Sequence, residues 1–343
     1  MQYFTFPSTI EAHEFPLQSV VQSLVDGLKV RVGKTDYLVG NLALNEGVSA
    51  HKVINSDPED LDYQVVGQAG LLLVAKKVTG PISLTVGFPY TTYQEYAQKA
   101  AGHFRGSKEV QYETFRFGKA HQQKLSVHVE KIDTIPEILG CATFARHQQD
   151  LADDFFVASL GYGTFEAARV HAGGLVERSV VSTHGLRFAV NSAMREIQKQ
   201  YYLDLRNEHQ FDKFFQANSL IVKRKRVDLS TYRKQAIKRY FAEVIAPALR
   251  NRWKDDDFFN AETIVLVGGG ALYPEAVDAF TGEFADVIRV LVPETPLLAA
   301  ATGYTLWAQR NASNGNVPVG MDIGNAYTAI GIIEPDNEKA EDF

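Results

Sequence analysis

Apolar residues occur along the chain in short runs that predict both strands and helices. Alternating or continuous short apolar runs are typical of strands, whereas apolar residues spaced three or four apart are typical of helices. Strands are predicted over 28–32, 37–39, 82–87, 125–135, 155–158, 165–170, 176–181, 264–267, 287–292, 317–323 and 328–333, and helices over 64–76, 138–149, 185–202, 230–253 and 296–310. Strands and helices interleaved in this way indicate an α/β protein.

Three consecutive glycines, Gly268 to Gly270, follow the apolar run 264–267. Glycines at the end of a buried strand allow positive φ and let a ligand lie against bare backbone. Pro274 suits the first turn of a following helix. Backbone amides and a helix N-terminus attract anions, so this arrangement is typical of nucleotide binding. A plain tight turn between a strand and a helix explains the same residues without a ligand.

Two further segments share one pattern, an apolar strand followed by a turn of small residues. Ser159-Leu160-Gly161-Tyr162-Gly163-Thr164 and Asp322-Ile323-Gly324-Asn325-Ala326-Tyr327-Thr328 each carry an apolar strand into a hairpin of small residues. Such hairpins point backbone amides at a phosphate. Two phosphate hairpins, one in each domain, would grip a triphosphate from both sides, with the glycine turn against the nucleoside.

Length and composition narrow the class of protein. A chain of 343 residues exceeds the size of a single core, so two domains are expected. The net charge of −6 gives no general attraction to nucleic acid. The single cysteine, Cys141, fits a reducing compartment. No apolar run is long enough for a membrane span and no secretory signal is visible, so we expect a cytoplasmic protein.

Together these segments resemble the actin, sugar kinase and heat-shock-ATPase superfamily, and within it the bacterial actin-like proteins of the ParM type. Residues 321–325 resemble the first phosphate motif, 159–164 the second, and 264–272 the adenosine motif. Residues 6–8, 39–43 and 296–304 also resemble segments of this family. The resemblance implies a two-domain actin-like α/β fold, in which each domain is ribonuclease-H-like.

The order of these motifs differs from the family. Its first phosphate motif stands at the N-terminus, whereas here it follows the last predicted helix across the linker-like segment 311–316. Joining Phe343 to Met1 would restore the usual order, so we predict that the fold is circularly permuted. Domain I is then formed by residues 1–145 with 296–343, and domain II by residues 146–295.

The resemblance implies an actin-like ATPase that binds ATP with Mg²⁺ and polymerises into filaments, for plasmid DNA segregation or a related bacterial cytoskeletal role. The implied partners are further copies of the chain and a DNA-binding adaptor protein, with no direct contact to nucleic acid. Two alternatives are a small-molecule kinase of the same superfamily and a nucleotide-binding scaffold with weak hydrolysis.

The resemblance also assigns roles to residues. Asp322 would hold Mg²⁺ through water, although an aspartate that caps its own turn is the simpler alternative. The family has an aspartate where Ser159 stands, which puts the efficiency of hydrolysis in doubt. The implied nucleotide-binding residues are Asp322, Gly324, Asn325, Ser159, Gly161, Tyr162, Gly163, Thr164, Gly268, Gly269, Gly270 and Leu272.

Glu137, which follows Pro136 at the end of a predicted strand, matches the position of the group that orients the attacking water in this superfamily. A carboxylate there can align water with the γ-phosphate. Asp133 is the competing candidate for this catalytic role, because the motif is weak. An acid in the first turn of a helix is also favoured by the helix dipole alone.

The chain has one basic run, Lys223-Arg224-Lys225-Arg226. It could contact DNA, an acidic patch of a partner or the next subunit. A solvated charged surface explains it equally well.

Overall fold

The computed structural model describes residues 1–15, 17, 23–52, 56–116, 119–148, 151, 154–172, 174–202, 208–313 and 315–334. Contacts within the chain divide it into two compact units. Unit 1 comprises Met1–Phe144 with Leu298–Phe343, and unit 2 comprises Ala145–Leu297. Each unit has its own sheet and its own hydrophobic core.

The described strands and helices are interleaved along the chain. The strands are β1 (Gln2–Pro7), β2 (Thr9–Ala12), β3 (Lys29–Val32), β4 (Thr35–Val39), β5 (His51–Lys52), β6 (Ile82–Phe88), β7 (Gly106–Arg116), β8 (Lys119–Pro136), β9 (Phe155–Leu160), β10 (Thr164–His171), β11 (Gly174–Leu175), β12 (Val181–His184), β13 (Ser219–Val222), β14 (Lys225–Asp228), β15 (Thr263–Val267), β16 (Arg289–Leu291), β17 (Val317–Ile323) and β18 (Tyr327–Ile332). The helices are α1 (Asn41–Glu46), α2 (Leu61–Ala75), α3 (Tyr93–Phe104), α4 (Glu137–Gln148), α5 (Arg187–Tyr201), α6 (Glu208–Gln216), α7 (Ser230–Tyr240), α8 (Ala246–Arg252), α9 (Pro274–Phe284) and α10 (Ala299–Asn311).

Unit 1 is built on one mixed sheet with the strand order β1-β18-β17-β6-β8-β7-β3-β4-β2-β5. Strands β17, β6 and β8 are parallel, and β18 pairs antiparallel with both β17 and β1. Consecutive residues of a strand point to opposite faces. Met321 accordingly lies against Gly70 of α2, and its neighbour Gly320 lies against Thr305 of α10. The last strands of the chain therefore lie inside the sheet of unit 1, covered by helices on both faces.

Unit 2 has a smaller mixed sheet in the order β11-β10-β9-β15-β16, with β12 also paired to β10. Strand β15 is parallel to β9 and β16, whereas β10 is antiparallel to β9. Every residue of β15 and of β9 is buried, which explains their continuous apolar runs. The core beside them is aromatic, and the rings of Phe156 and Trp253 pack in a tilted arrangement with 4.3 Å between their centroids.

Most predicted strands and helices are confirmed, although several begin or end at other residues than predicted. The predicted strand 176–181 is wrong: the structure has the short strands β11 and β12 with a 3-10 turn between them. The strand predicted over 287–292 is only β16, and the helix predicted over 230–253 contains a π turn at Phe241–Ile245. Gln149, Gly173 and Asn314, which fall in predicted elements or turns, lie outside the described residues.

Some elements had no clear sequence signal. Helix α3 and strand β7 are largely polar. Of the β7 side chains that the structure describes, only Val110 and Tyr112 are buried in the core of unit 1, and the strand is held mainly by its long antiparallel pairing with β8. Helix α6 and the hairpin β13–β14 were also not predicted. Among the described helices, none is long and apolar enough to cross a membrane.

Candidate functional site

Two acidic residues share one edge of the sheet in unit 1. Strands β17, β6 and β8 are parallel, so their carboxyl ends lie at the same edge, as the registers Met321↔Val86 and Val86↔Thr134 show. Asp322 follows Met321 in β17, and Glu137 begins α4 directly after β8. Ligand sites of α/β sheets commonly occupy this edge.

The electrostatics show that Asp322 and Glu137 lie close to each other. Burial, together with the negative charge of Glu137, raises the pKa of Asp322 well above its ordinary value. Burial and the charge of Asp322 in turn raise the pKa of Tyr63, which lies on α2. A half-buried carboxylate with a raised pKa is a common feature of functional sites.

Asp133, the competing candidate, has different surroundings. Its carboxylate lies 3.5 Å from Lys131 Nζ, and that ammonium group also donates to the carbonyl oxygen of Asn311 at 2.7 Å. The structure thus brings Glu137, and not Asp133, into electrostatic contact with Asp322.

The hairpin after β17 is held by backbone bonds. Gly324 N donates to Tyr327 O at 3.1 Å, and Ser8 N donates to Ala326 O at 2.9 Å. The buried hydroxyls of Ser8 and Thr328 are 2.8 Å apart. A Cβ at Gly324 would lie 2.9 Å from Tyr327 O, so only glycine fits without a shift of backbone.

The hairpin after β9 in unit 2 repeats this turn. Gly161 N donates to Thr164 O at 3.0 Å, and a Cβ at Gly161 would lie 2.8 Å from that oxygen. The carbonyls of residues 161–163 accept hydrogen bonds from the amides of residues 185–187 at the start of α5. Because N–H and C=O of one peptide plane point in opposite directions, the amides that follow these carbonyls point away from α5.

Tyr162 has a structural contact of its own. Its hydroxyl donates to Glu208 at 2.8 Å, and Glu208 also accepts two hydrogen bonds from the guanidinium of Arg187. Burial, followed by the nearby charges of Asp212 and Glu208, raises the pKa of Tyr162. The Tyr162 side chain is therefore tied to α5 and α6, and its backbone is the part that forms the hairpin.

A buried carboxylate that the sequence analysis missed lies beside Ser159. Glu166 is fully buried, and the sheet register places it opposite both Ser159 on β9 and Ser182 on β12. Directly opposed residues of antiparallel strands project from the same face. The available signal was an acid at the second position of the otherwise apolar run 165–170.

The glycine turn follows β15, as predicted, and leads into a 3-10 turn and then α9. Gly268 has φ of 84°, and a Cβ there would lie 2.8 Å from Leu160 O. A Cβ at Gly270 would overlap the side chain of Leu160, so close packing on β9 accounts for both of these glycines. Gly269 has more room, and Leu272 is 60% exposed.

The acidic pair fits a magnesium ion of the kind that also binds phosphate. The described residues contain no group of three or more His, Cys, Asp or Glu side chains that could hold a metal. Mg²⁺ usually takes one or two carboxylates and completes its shell with water and substrate phosphates. Burial and, after it, the repulsion from Glu137 raise the pKa of Asp322, and a cation beside Asp322 would offset the unfavourable charge of its carboxylate.

Comparisons with known proteins agree with this fold. Residues 1–140 match the family model of the actin-like proteins N-terminal domain, and residues 160–277 match that of the archaeal actin homologue MreB-like C-terminal domain. No curated protein sequence matches the chain significantly.

Solved structures match about nine-tenths of the chain. A 15-stranded ParM filament from Clostridium botulinum has a TM-score of 0.71 at 16% identity, covering 89% of this chain and 92% of that one. The actin-like protein Alp7A has a TM-score of 0.65 at 18% identity, with 90% and 91% covered. An archaeal actin homolog, Ta0583, in complex with ADP has a TM-score of 0.63 at 16% identity, with 89% and 92% covered. At these identities the likeness shows the fold.

The raised pKa of Asp322 predicts a stability gain when its charge is removed. The folded state binds the Asp322 proton more tightly than the unfolded state, so this group lowers stability as pH rises from its ordinary pKa of 3.8 through the folded value. Each unit of such a shift corresponds to about 1.4 kcal/mol. We expect Asp322→Asn to have a larger free energy of unfolding than wild type at pH 7, measured in urea.

The gain should shrink as the pH is lowered and should vanish below the ordinary pKa of 3.8, where the wild-type carboxyl is protonated in the unfolded state as well as in the folded state. Asp133→Asn is the matched control: it loses a half-exposed ion pair, so it should cost at most about 1 kcal/mol and give no gain at pH 7. An Asp322→Asn variant less stable than wild type, with an unchanged pH dependence, would contradict the prediction.

Proposed function

This chain belongs to the actin-like proteins, and on that premise we propose that it binds ATP with Mg²⁺, hydrolyses it and polymerises into filaments. The observation that carries the proposal is the repeated hairpin. Gly161 and Gly324 make the same turn, with the same backbone bond, at the end of a strand in each unit. Backbone amides presented in such turns are suited to phosphate.

We assign the phosphate contacts to the backbone of residues 161–164 and 324–325. Asp322 would hold Mg²⁺ through water, and the ion when bound supplies charge neutralisation to the phosphates. Gly269, which has room at its Cα, and the exposed Leu272 are the parts of the glycine turn assigned to the nucleoside. The ADP complex of the archaeal homolog supports a nucleotide ligand.

We assign Glu137 the role of orienting the attacking water. It stands at the sheet edge with Asp322, whereas Asp133 is paired with Lys131. Because Ser159 stands where the family has an aspartate, a nucleotide-binding scaffold with weak hydrolysis is the second candidate function. The buried Glu166, on the same face as Ser159, favours retained hydrolysis because it places a carboxylate next to the position where the family has an aspartate.

We further propose filament formation for plasmid segregation or a related cytoskeletal task, with a DNA-binding adaptor as the link to cargo. The ParM filament among the structural neighbours supports self-association. Cys141 is buried and is the single cysteine of the chain, which supports a reducing, cytoplasmic setting.

Circular permutation is part of the proposal. Strand β17 carries Asp322, and its partner β18 pairs with β1, the first strand of the chain. This pairing supports a fold in which the strand–hairpin–strand segment 317–332 precedes β1 in the order typical of the family. In the sheet, β1 therefore lies beside β18, the last of the described strands, and β18 lies beside β17.

Polymerisation tests the central proposal. With ATP and Mg²⁺ the protein should enter the pellet on high-speed centrifugation above a critical concentration, and negative-stain microscopy should show filaments. The matched sample without nucleotide should stay in the supernatant. Persistent monomer across nucleotides and at high protein concentration would reject filament formation and favour a kinase or scaffold.

Hydrolysis tests the assignment of Glu137. Because this residue acts on water rather than on ATP, Glu137→Ala should bind ATP with nearly unchanged affinity but release phosphate about 100-fold more slowly. Its filaments should persist. Asp133→Ala is the control and should release phosphate at the wild-type rate. If Asp133→Ala releases phosphate slowly and Glu137→Ala at the wild-type rate, Asp133 is the residue that orients the attacking water.

A chain with the usual order tests the permutation. Opening the chain at Asn314 and joining Phe343 to Met1 should give a folded protein that still polymerises with ATP. Truncation after Asn316 removes β17 and β18, and each buried backbone group left unpaired costs about 1–3 kcal/mol. Against a typical stability of about 5–15 kcal/mol, the truncated chain should be insoluble. A reordered chain that fails to fold, or a truncated chain that binds ATP normally, would reject the permutation.

A further inference from the structure

The basic run of the sequence forms the tip of a hairpin in unit 2. Strands β13 and β14 pair with the register Val222↔Lys225, so Lys223 and Arg224 form a two-residue turn. Leu220 and Val222 are buried in the core of unit 2, which anchors the hairpin, whereas all four basic side chains are exposed. We call residues 219–228 the basic hairpin.

The backbone at this tip is unusual for the residues it holds. Lys223 has φ of 48° and Arg224 has φ of 66°. Turns with two left-handed residues favour Asn and Gly, and other residues there carry a conformational cost. Among the described residues none makes an ion pair with the four cations of the tip, so no intramolecular charge contact accounts for them.

A second surface of unit 2 has the opposite charge. Asp255, Asp256 and Glu262 are exposed around the 3-10 turn that precedes β15, and Phe259 between them is 89% exposed. We call residues 255–262 the acidic turn.

Hydrogen bonds to the buried carboxylate of Asp257 hold the acidic turn in place. Asp257 is fully buried and accepts hydrogen bonds from Arg169, Arg178 and the backbone amide of Lys254. The bond from Arg178 is the main reason that the pKa of Asp257 falls to about 2. Because this buried carboxylate fixes the turn, its exposed neighbours present a preformed surface.

The two surfaces stand at opposite ends of one helical run. The basic hairpin ends at Asp228, two residues before α7, and the acidic turn begins three residues after α8. Helix α7, the π turn and α8 are continuous over 230–252, a length of about 33 Å at 1.5 Å per residue. The helix that separates them therefore keeps the ends of these two segments far apart within one copy.

We propose that the basic hairpin of one copy docks on the acidic turn of a second copy, head to tail. The tip cations would pair with Asp255, Asp256 and Glu262, and Ile221, which is 56% exposed, would cover Phe259. A contact between two different surfaces can repeat from copy to copy, and it produces a filament when the rotation between copies does not close a ring. The inference rests on the proposed polymerisation and names the contact that carries it.

A charge exchange tests the contact. In the first variant, Lys223→Glu with Arg224→Glu, ATP affinity should stay unchanged and the critical concentration should rise about tenfold or more. In the second, Asp255→Lys with Asp256→Lys, the same loss is expected. In a mixture of the two variants, both contacts between unlike copies are complementary, so the mixture should polymerise at least in part. A single chain that carries all four substitutions has the charges exchanged and should also polymerise at least in part.

Lys234→Glu with Lys238→Glu is the matched control. It makes the same change in charge on the exposed face of α7, outside the basic hairpin, and should leave the critical concentration near that of wild type. If wild type polymerises but the hairpin variant does so equally well, this inference fails and the proposed function stands. If wild type never polymerises, the proposed filament function is rejected, and the docking contact that rests on it is rejected with it. A hairpin variant that polymerises normally but loses binding to a DNA duplex probe would assign the hairpin to nucleic acid instead.

Cross-linking gives a second measurement that does not depend on the effect of charge. Cys141 is the only cysteine of the chain and is buried, so introduced thiols report selectively. An Arg224→Cys chain mixed with an Asp256→Cys chain should give bismaleimide-linked dimers in the presence of ATP. Each variant alone should give none, and dimers within a single variant would overturn the head-to-tail arrangement.

Discussion

The pairing of β17 with β6 is the interaction on which unit 1 depends. It joins residues near the end of the chain to a buried strand formed by residues 82–88, and it carries β18 and β1 with it. Contacts between residues so distant in sequence cost loop-closure entropy before they stabilise anything. They persist because β17 is covered on both faces, by α2 and α10. The same pairing brings Asp322 to the edge where Glu137 begins α4.

Steric constraint sets the shape of both hairpins and of the glycine turn. At Gly161 and Gly324 a carbonyl oxygen three residues on leaves no room for a Cβ, and at Gly268 the constraint is the carbonyl of Leu160. The glycine turn and the second hairpin are therefore parts of one packed assembly in unit 2. A change in either would displace the other, because Leu160 contacts both Gly268 and Gly270.

Two buried or half-buried aspartates show opposite electrostatics. Asp257 is surrounded by guanidinium groups and a backbone amide, so its charge stabilises the turn that it holds. Asp322 faces another carboxylate, so its charge is unfavourable until a cation is near. The ion pairs of Asp257 stabilise the fold. The unfavourable charge of Asp322 lowers stability, as is common for groups at functional sites.

The sequence by itself determined the α/β class, the buried strands and the three glycine-containing turns, because apolar periodicity and glycine requirements are local properties. It also placed Asp322 and Glu137 at turns or strand ends, and it identified the basic run without predicting the hairpin that carries it. Only the tertiary structure showed that Glu137 and Asp133 have different surroundings, since both are acids near the end of one strand and only their spatial neighbours differ. Glu166 was hidden for the same reason: its importance lies in being opposite Ser159, and register between strands is set by the sheet as a whole. The helical run between the basic hairpin and the acidic turn likewise acquires meaning only once its two ends are seen in space.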